Sequence, residues 1–416
     1  MSILPIKFEW KKIITLTSSV ILTAVFGFFL LLNCDFVQTL TLKYFYLENI
    51  TTNNVNPFLS YVIFGFPIVF VLDNLSLSFV FLTTLTILIC ILTVYKNPTY
   101  NSSLYYLLLW TLQFSLIHTF TSLNLLSFYV FFELTLVPMF LIIVIWGSRQ
   151  RKIHAGYLFF FYTAIGSIFL LLGILLLYYY TNTLFIPNLF IINLDLEKQL
   201  LLWVLFFLGF AIKVPIVPFH TWLPEAHVEA PTTGSIILAA LLLKIGTFGM
   251  LRFMFPILNS ATNTFKPFVF MISILSIYHA SIIALRQVDL KKLIAYSSVA
   301  HMGFVTLGLF SLNIYGFVGS LYIMISHGIV AGALFFLVGV LYDRYGSRNI
   351  LDYGGLASTM PLFATTFFFF TLANLSFPGS SNFIGELFVL LGLCEIEMLT
   401  TILATLSIIF TSSYSI

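Results

Sequence analysis

Charged side chains are scarce in this chain: 8% of 416 residues, where a soluble domain carries about a quarter. The net charge of +3 is small, and no basic tract suited to nucleic acid is present. Cysteine is nearly absent. Cys34, Cys90 and Cys394 stand far apart, with no CxxC pair and no Cys/His cluster. That spacing argues against iron–sulfur, zinc and structural disulfide chemistry. The glycine fingerprint of a dinucleotide fold and the phosphate-cradling P-loop are also missing. Nucleotide or electron-transfer chemistry would therefore belong to partner chains. The N-terminal MSILPIKFEWKKI lacks the Arg-rich, acid-poor character of a transit peptide.

What is present is apolar. Hydrophobic residues make up 60% of the chain, with 48 Phe and 21 Tyr. A hydrocarbon core about 30 Å thick takes roughly 20 apolar residues as helix. On that measure the spans are 13–32, 75–95, 103–122, 124–146, 155–180, 199–227, 232–254, 266–285, 292–311, 316–341, 360–397 and 399–415. These predict an all-α polytopic membrane protein of about twelve transmembrane helices. Two spans are too long for one simple helix. The first, 199–227, contains Pro215, Pro218 and Pro224; the second, 360–397, contains Asn374, Pro378, Gly379, Ser380 and Ser381. Proline removes a backbone donor and clashes with the preceding turn. Breaks at membrane depth survive only inside protein or beside a wet cavity, and paired breaks in two halves of a chain mark a repeated transporter unit. The segment 33–74 is predicted to form surface structure, with a hairpin one form it can take.

The cations test this topology. If the chain crosses at every span, the side of the N-terminus receives Lys7, Lys11, Lys12, Lys96, Arg149, Arg151, Lys152, Arg286, Lys291, Lys292, Arg344 and Arg348. The opposite side receives Lys43, Lys198, Arg252 and Lys266, which leaves Lys213 and Lys244 within the membrane. Such a bias follows the positive-inside rule and puts both termini on the matrix or cytoplasmic side.

Lys213 and Lys244, with Glu133, are expensive exceptions at roughly 2.5–3.5 kcal/mol each on insertion scales, and intramembrane charges mark ion or proton paths. Burial neutralises lysine readily, and a nearby carboxylate restores its charge. Glu133 and Lys213 thus have the chemistry of a proton switch; a static salt bridge joining two helices is the plainer alternative. Glu386 follows the second break. His220 lies seven residues after Lys213, on roughly the same face if the helix persists. His301 and His327 lie in the spans 292–311 and 316–341, and histidine titrates near neutral pH. One polar site per helix over much of the chain reads as a hydrophilic axis. Singly, the other polar residues read as structural. Pro138 is a kink, Ser297 and Ser298 bond back along their helix, and Glu225, His227 and Glu229 lack metal-ligand spacing.

Several long runs resemble one family. FAIKVPIVPFHTWLPEAHVEAPTTGSIILAALLLKIGTFGMLR is similar to the central signature of the antiporter-like subunits of proton-pumping NADH:ubiquinone oxidoreductase (respiratory complex I), in the form of subunit 4. So are FYVFFELTLVPMFLIIVIWGSRQRKIHAG, LRQVDLKKLIAYSSVAHMGFV, MISHGIVAGALFF and NLSFPGSSNFIGELFVL. The resemblance covers residues 70–413. The AHVEAPT form and the glutamate of NFIGEL resemble subunit 4 rather than its sister subunit 5.

The resemblance implies two inverted five-helix repeats, each with one broken helix, in a mitochondrial inner-membrane subunit whose two termini face the matrix. The expected division is an N-terminal segment 1–74, a preceding helix 75–102, a first repeat 103–254 and a second 255–416. It implies that Glu133, Lys213, Lys244 and Glu386 transfer protons, with His220, His301 and His327 as supporting relay residues. No cofactor is expected in this chain. NADH, FMN, iron–sulfur clusters and ubiquinone are expected in partner subunits, and the neighbours are expected to include antiporter-like subunits 2 and 5 and membrane lipids. The family has two helices before VLDNLSLSF where one is legible here, and one more after IIFTSSYSI; a separate chain is expected to supply that last helix. Two other functions share these features: a subunit of a multi-subunit cation/proton antiporter, and a structural membrane scaffold.

Overall fold

The computed structural model describes residues 8–32, 59–63, 66–96 and 101–415. The expectations for Lys7, Cys34 and Lys43, and for most of the segment 33–74, lie outside the described residues. In chain order the elements are α1 (Phe8–Leu32), β1 (Leu59–Ile63), β2 (Phe66–Phe70), α2 (Asn74–Lys96) and α3 (Ser102–Thr121). Then come α4 (Leu125–Trp146) and α5 (Lys152–Thr181), followed by α6 (Ile186–Leu189), α7 (Leu196–Lys213) and α8 (Trp222–Glu229). The next long helices are α9 (Thr232–Ile257), α10 (Asn259–Leu285), α11 (Leu290–Ser311) and α12 (Ile314–Tyr345). The chain closes with α13 (Leu356–Thr359), α14 (Pro361–Asn374), α15 (Ser381–Cys394) and α16 (Met398–Ser415). Among the described residues eight helices are long and apolar enough to cross a bilayer alone. The two spans predicted to break do so: α7 stops at Lys213 and α8 starts at Trp222, while α14 stops at Asn374 and α15 starts at Ser381.

Each break is tied by the same device. Trp222 Nε1, at the start of α8, donates to the carbonyl of Ile212 at 2.9 Å. Asn382 Nδ2, at the start of α15, donates to the carbonyl of Ala373 at 3.0 Å. Both acceptors sit in the last turn of the preceding half-helix, where carbonyls have no intrahelical partner. Pro138 acts more gently. It removes the donor to the Leu134 carbonyl, and α4 is interrupted at Thr135, whose hydroxyl bonds to Phe132 O.

The chain divides into two compact units. The first comprises 1–147, 163–210 and 248–261. Its core is aromatic: Phe79 stacks on Phe120 at 5.2 Å, and Phe248 meets both edge-on. In this unit β1 and β2 form an antiparallel hairpin, Leu59 opposite Phe70 and Ile63 opposite Phe66. Arg252 is buried there and bonds to Asp73 Oδ2 at 2.7 Å.

The second unit comprises 148–162, 211–247 and 262–416. Its helices approach closely through glycine. A Cβ on Gly319 of α12 would stand 2.7 Å from the Gly385 carbonyl and 2.7 Å from the Val389 amide of α15. Small residues at such crossings are how helices pack where lipid supplies no hydrophobic drive. Three cation-bearing connections meet at one end of this unit. The Ser148 amide bonds to Glu229 O at 3.1 Å, the Leu290 amide to Arg348 O at 3.0 Å, and the Ile350 amide to Val288 O at 3.0 Å. Lys266 bonds to Ser311 O, at the other end of α11, about 33 Å of helix away. Gly319→Val should overpack the α12–α15 crossing by about 1–3 kcal/mol; a thermal melt of the purified membrane assembly should show an earlier transition.

Candidate functional site

Lys244 is fully buried in the middle of α9, a helix buried throughout its apolar span. Two π-helical stretches, Leu238–Leu242 and Met250–Met254, flank it. A π turn bonds i to i+5 and so releases backbone groups from the ordinary ladder. The Ala239 carbonyl inside the first stretch accepts from Lys244 Nζ. The same ammonium lies 2.8 Å from His327 Nδ1, contributed by α12. One of these two nitrogens donates and the other accepts, so the pair holds its shared proton on either side.

The row continues from there. The ring centres of His327 and His301 (α11) lie 5.4 Å apart, the rings tilted by 53°. His301 Nδ1 is 3.1 Å from Glu386 Oε1, on α15 just past the second break. All four groups are less than a tenth exposed. Lys244, His327, His301 and Glu386 thus form one buried series drawn from four helices of one unit.

The other expected residues lie elsewhere. Lys213 is the last residue of α7, 1% exposed, with Nζ 5.9 Å from the Phe159 ring centre. Glu133 is partly buried on α4, in the first unit. His220 is buried in the turn after Lys213, its ring edge-on to His279 at 4.9 Å. The helix ends at Lys213, so the condition under which His220 would share a helical face with it is not met.

Several ionisable groups assigned to loops are enclosed by protein instead. Lys291 is 1% exposed and donates to Ala230 O at 2.8 Å and Ser235 Oγ at 3.3 Å. Arg348 is also 1% exposed; its guanidinium donates to the Val228 carbonyl and Ser148 Oγ and covers the Tyr342 ring at 4.2 Å. Burial lowers the Arg348 pKa from its ordinary value, yet arginine stays protonated in protein. Helical phase marks Lys291: Ile294, Ala295 and Ser298 share its face and are buried with it. Its neighbour Lys292 points outward and pairs with Glu225 at 2.7 Å. Among the described residues, no three His, Cys, Asp or Glu converge as metal ligands.

Broken helices beside a buried ionisable series define a transporter-like, polytopic helical membrane protein. Residues 122–411 match the family described as NADH:quinone oxidoreductase/Mrp antiporter, transmembrane. The chain belongs to that family. It is 52% identical over 345 residues to "NADH-ubiquinone oxidoreductase chain 4" of Chondrus crispus, covering 83% of this chain and 70% of that one. It is 53% identical over 345 residues, with the same coverage, to the protein of that name from Arabidopsis thaliana. A chain of respiratory complex I from Thermus thermophilus superposes with a TM-score of 0.82 at 30% identity, covering 96% of this chain and 87% of that one.

Arg348 yields a structural prediction. Arg348→Ala leaves the buried Val228 carbonyl without its donor, at about 1–3 kcal/mol, while the exposed Ser148 hydroxyl can turn to water. The assembled complex should melt earlier. Arg348→Lys should recover only some of the loss, since an ammonium cannot reproduce the planar fork.

Proposed function

We propose that this chain is the proton-translocating, subunit 4-type membrane subunit of a respiratory NADH:ubiquinone oxidoreductase. The carrying observation is the buried series Lys244–His327–His301–Glu386, set in a chain of this family. Each member binds and releases a proton without covalent chemistry. Lysine neutralises readily on burial, histidine titrates near neutral pH, and glutamate closes the series.

In this reading Lys213 takes a proton at the first break and Glu133 modulates its charge. His220 stands beside the Lys213 break as a supporting relay. Lys244 receives the proton and shares it with His327. His301 passes it to Glu386, which releases it toward the side opposite the cation-rich loops. NADH, FMN, the iron–sulfur clusters and ubiquinone act in partner subunits. The neighbours in the membrane are antiporter-like subunits 2 and 5, with lipid around them. The membrane is the mitochondrial inner membrane, with both termini in the matrix. The two repeats are divided as 103–254 and 255–416.

The family also includes antiporters. Purification under mild detergent separates the two readings: quinone-reducing partners should accompany this chain, whereas an antiporter subunit would arrive without them. Lys213→Ala should cut proton pumping in the reconstituted complex. Lys213→Arg should impair it as well, because a guanidinium holds its proton at every relevant pH. Normal proton-to-electron ratios in both variants would remove Lys213 from the path.

A further inference from the structure

The ties at the two breaks differ in one respect. The Trp222 indole is a donor only, so its hydrogen bonding ends at its own break. The Asn382 amide has a donor and an acceptor, and both are used. Nδ2 donates to Ala373 O at 3.0 Å, which closes the break. Oδ1 accepts from the Ser326 hydroxyl of α12, a bond the break does not require. That hydroxyl has a second acceptor in reach, Ile323 O of its own helix at 3.3 Å, but the amide oxygen is nearer. Asn382 is fully buried and Ser326 is 4% exposed.

The bond from Ser326 to Asn382 stands between the two halves of the buried series. Ser326 directly precedes His327, whose Nδ1 lies 2.8 Å from Lys244 Nζ. Asn382 lies one turn before Glu386, on the same face of α15. Glu386 Oε1 in turn is 3.1 Å from His301 Nδ1. Between the pairs, the ring centres of His327 and His301 are 5.4 Å apart. The Nε2 atom of each ring has no hydrogen-bond partner among the described residues. A proton that passes from one pair to the other crosses here. Apolar packing sets how close α12 and α15 come: a Cβ on Gly385 would stand 2.9 Å from the Ile323 amide. The backbones thus touch one residue before Glu386 and one turn before His327. Such contact is non-directional and leaves sliding and rotation of the helices open. A hydrogen bond, with its narrow limits of length and angle, closes them.

We propose that Asn382 is a positioning residue for proton transfer: through Ser326 it holds α12 and α15 in the register that keeps His327 within reach of His301 and Glu386. This rests on the proton-pump reading above. Neither Ser326 nor Asn382 takes the proton. Between the rings an N–H breaks on the imidazolium of His327 and an N–H forms on neutral His301, and the charge moves with the proton. A misplacement of about 1 Å can slow a positioned reaction about a hundredfold. Losing the bond to Ser326 leaves each pair intact and changes the distance between them.

The test uses the whole complex in liposomes and reads protons translocated per NADH oxidised. Ser326→Ala removes the bond to α12 and leaves the tie between Asn382 and Ala373. The ratio should fall. Pumping in heavy water should also slow by a larger factor than in the unaltered complex, because the hop between the rings now limits the rate. A serine that only packs helices together would change thermal stability and move neither reading. A normal ratio in Ser326→Ala overturns the proposal, and so does a fall without the larger isotope effect. Asn382→Ala supplies a second check: adding Ser326→Ala to it should bring no further fall, since their common bond is already lost. A further fall as large as that of Ser326→Ala alone overturns the proposal as well. If Asn382→Ala does not assemble, Ser326→Ala decides alone. Glu386→Gln is measured alongside. A fall there with a normal ratio in Ser326→Ala removes the positioning role only; no fall in either variant removes the pump reading too.

Discussion

A backbone that breaks at membrane depth must find partners for its freed carbonyls and amides inside the protein, because lipid offers none. The two hydrogen bonds from Trp222 and Asn382 meet that demand. Each comes from the first residues of a second half-helix and ends on the last turn of the first half. The same solution recurs in two places with different donors, an indole and an amide. Ionisable side chains stand at these breaks: Lys213 is the last helical residue before one, and Glu386 lies on the first turns after the other. The π stretches around Lys244 are a third, milder version, in which the helix continues but yields a carbonyl to the lysine.

These gaps in regular structure offset the expense of burying charge. A lone buried ion loses several kcal/mol of hydration, and a pair recovers that only with good geometry. Lys244 is paired with His327 at 2.8 Å, and His301 with Glu386 at 3.1 Å. A hydrogen-bonded pair that shares one proton carries less net charge into the interior than two separate ions. The contacts that stabilise the pairs are thus the ones the proposed relay would use.

Much of this is legible in the sequence, for a physical reason. Where nearly every residue is apolar, a lysine or a proline stands out without any knowledge of the fold. The ends of α7 and α14 and the helical class follow from that contrast. The π stretches do not, since SIILAALLL has no glycine or proline to mark them and tertiary contacts decide the bond pattern. Lys291 and Lys292 look alike as letters, and only helical phase separates the buried one from the exposed one. Arg252 and Arg348 read as loop cations because a charge near a helix end is usually solvated; here Asp73 in one unit, and Val228 O with Ser148 in the other, take the place of water. Nothing in the letters joins Ser326 to Asn382, because a bond between two helices is visible only in three dimensions.

The central claim is that the buried series moves protons rather than merely holding helices together. Lys244→Gln tests it most directly, because the side-chain amide keeps a hydrogen-bond donor for the Ala239 carbonyl and His327 but cannot carry a proton. In the reconstituted complex, the measurement is protons translocated per NADH oxidised. A proton relay predicts a clear fall in that ratio while the thermal stability of the complex is kept. An unchanged ratio, with or without a change in stability, would contradict it.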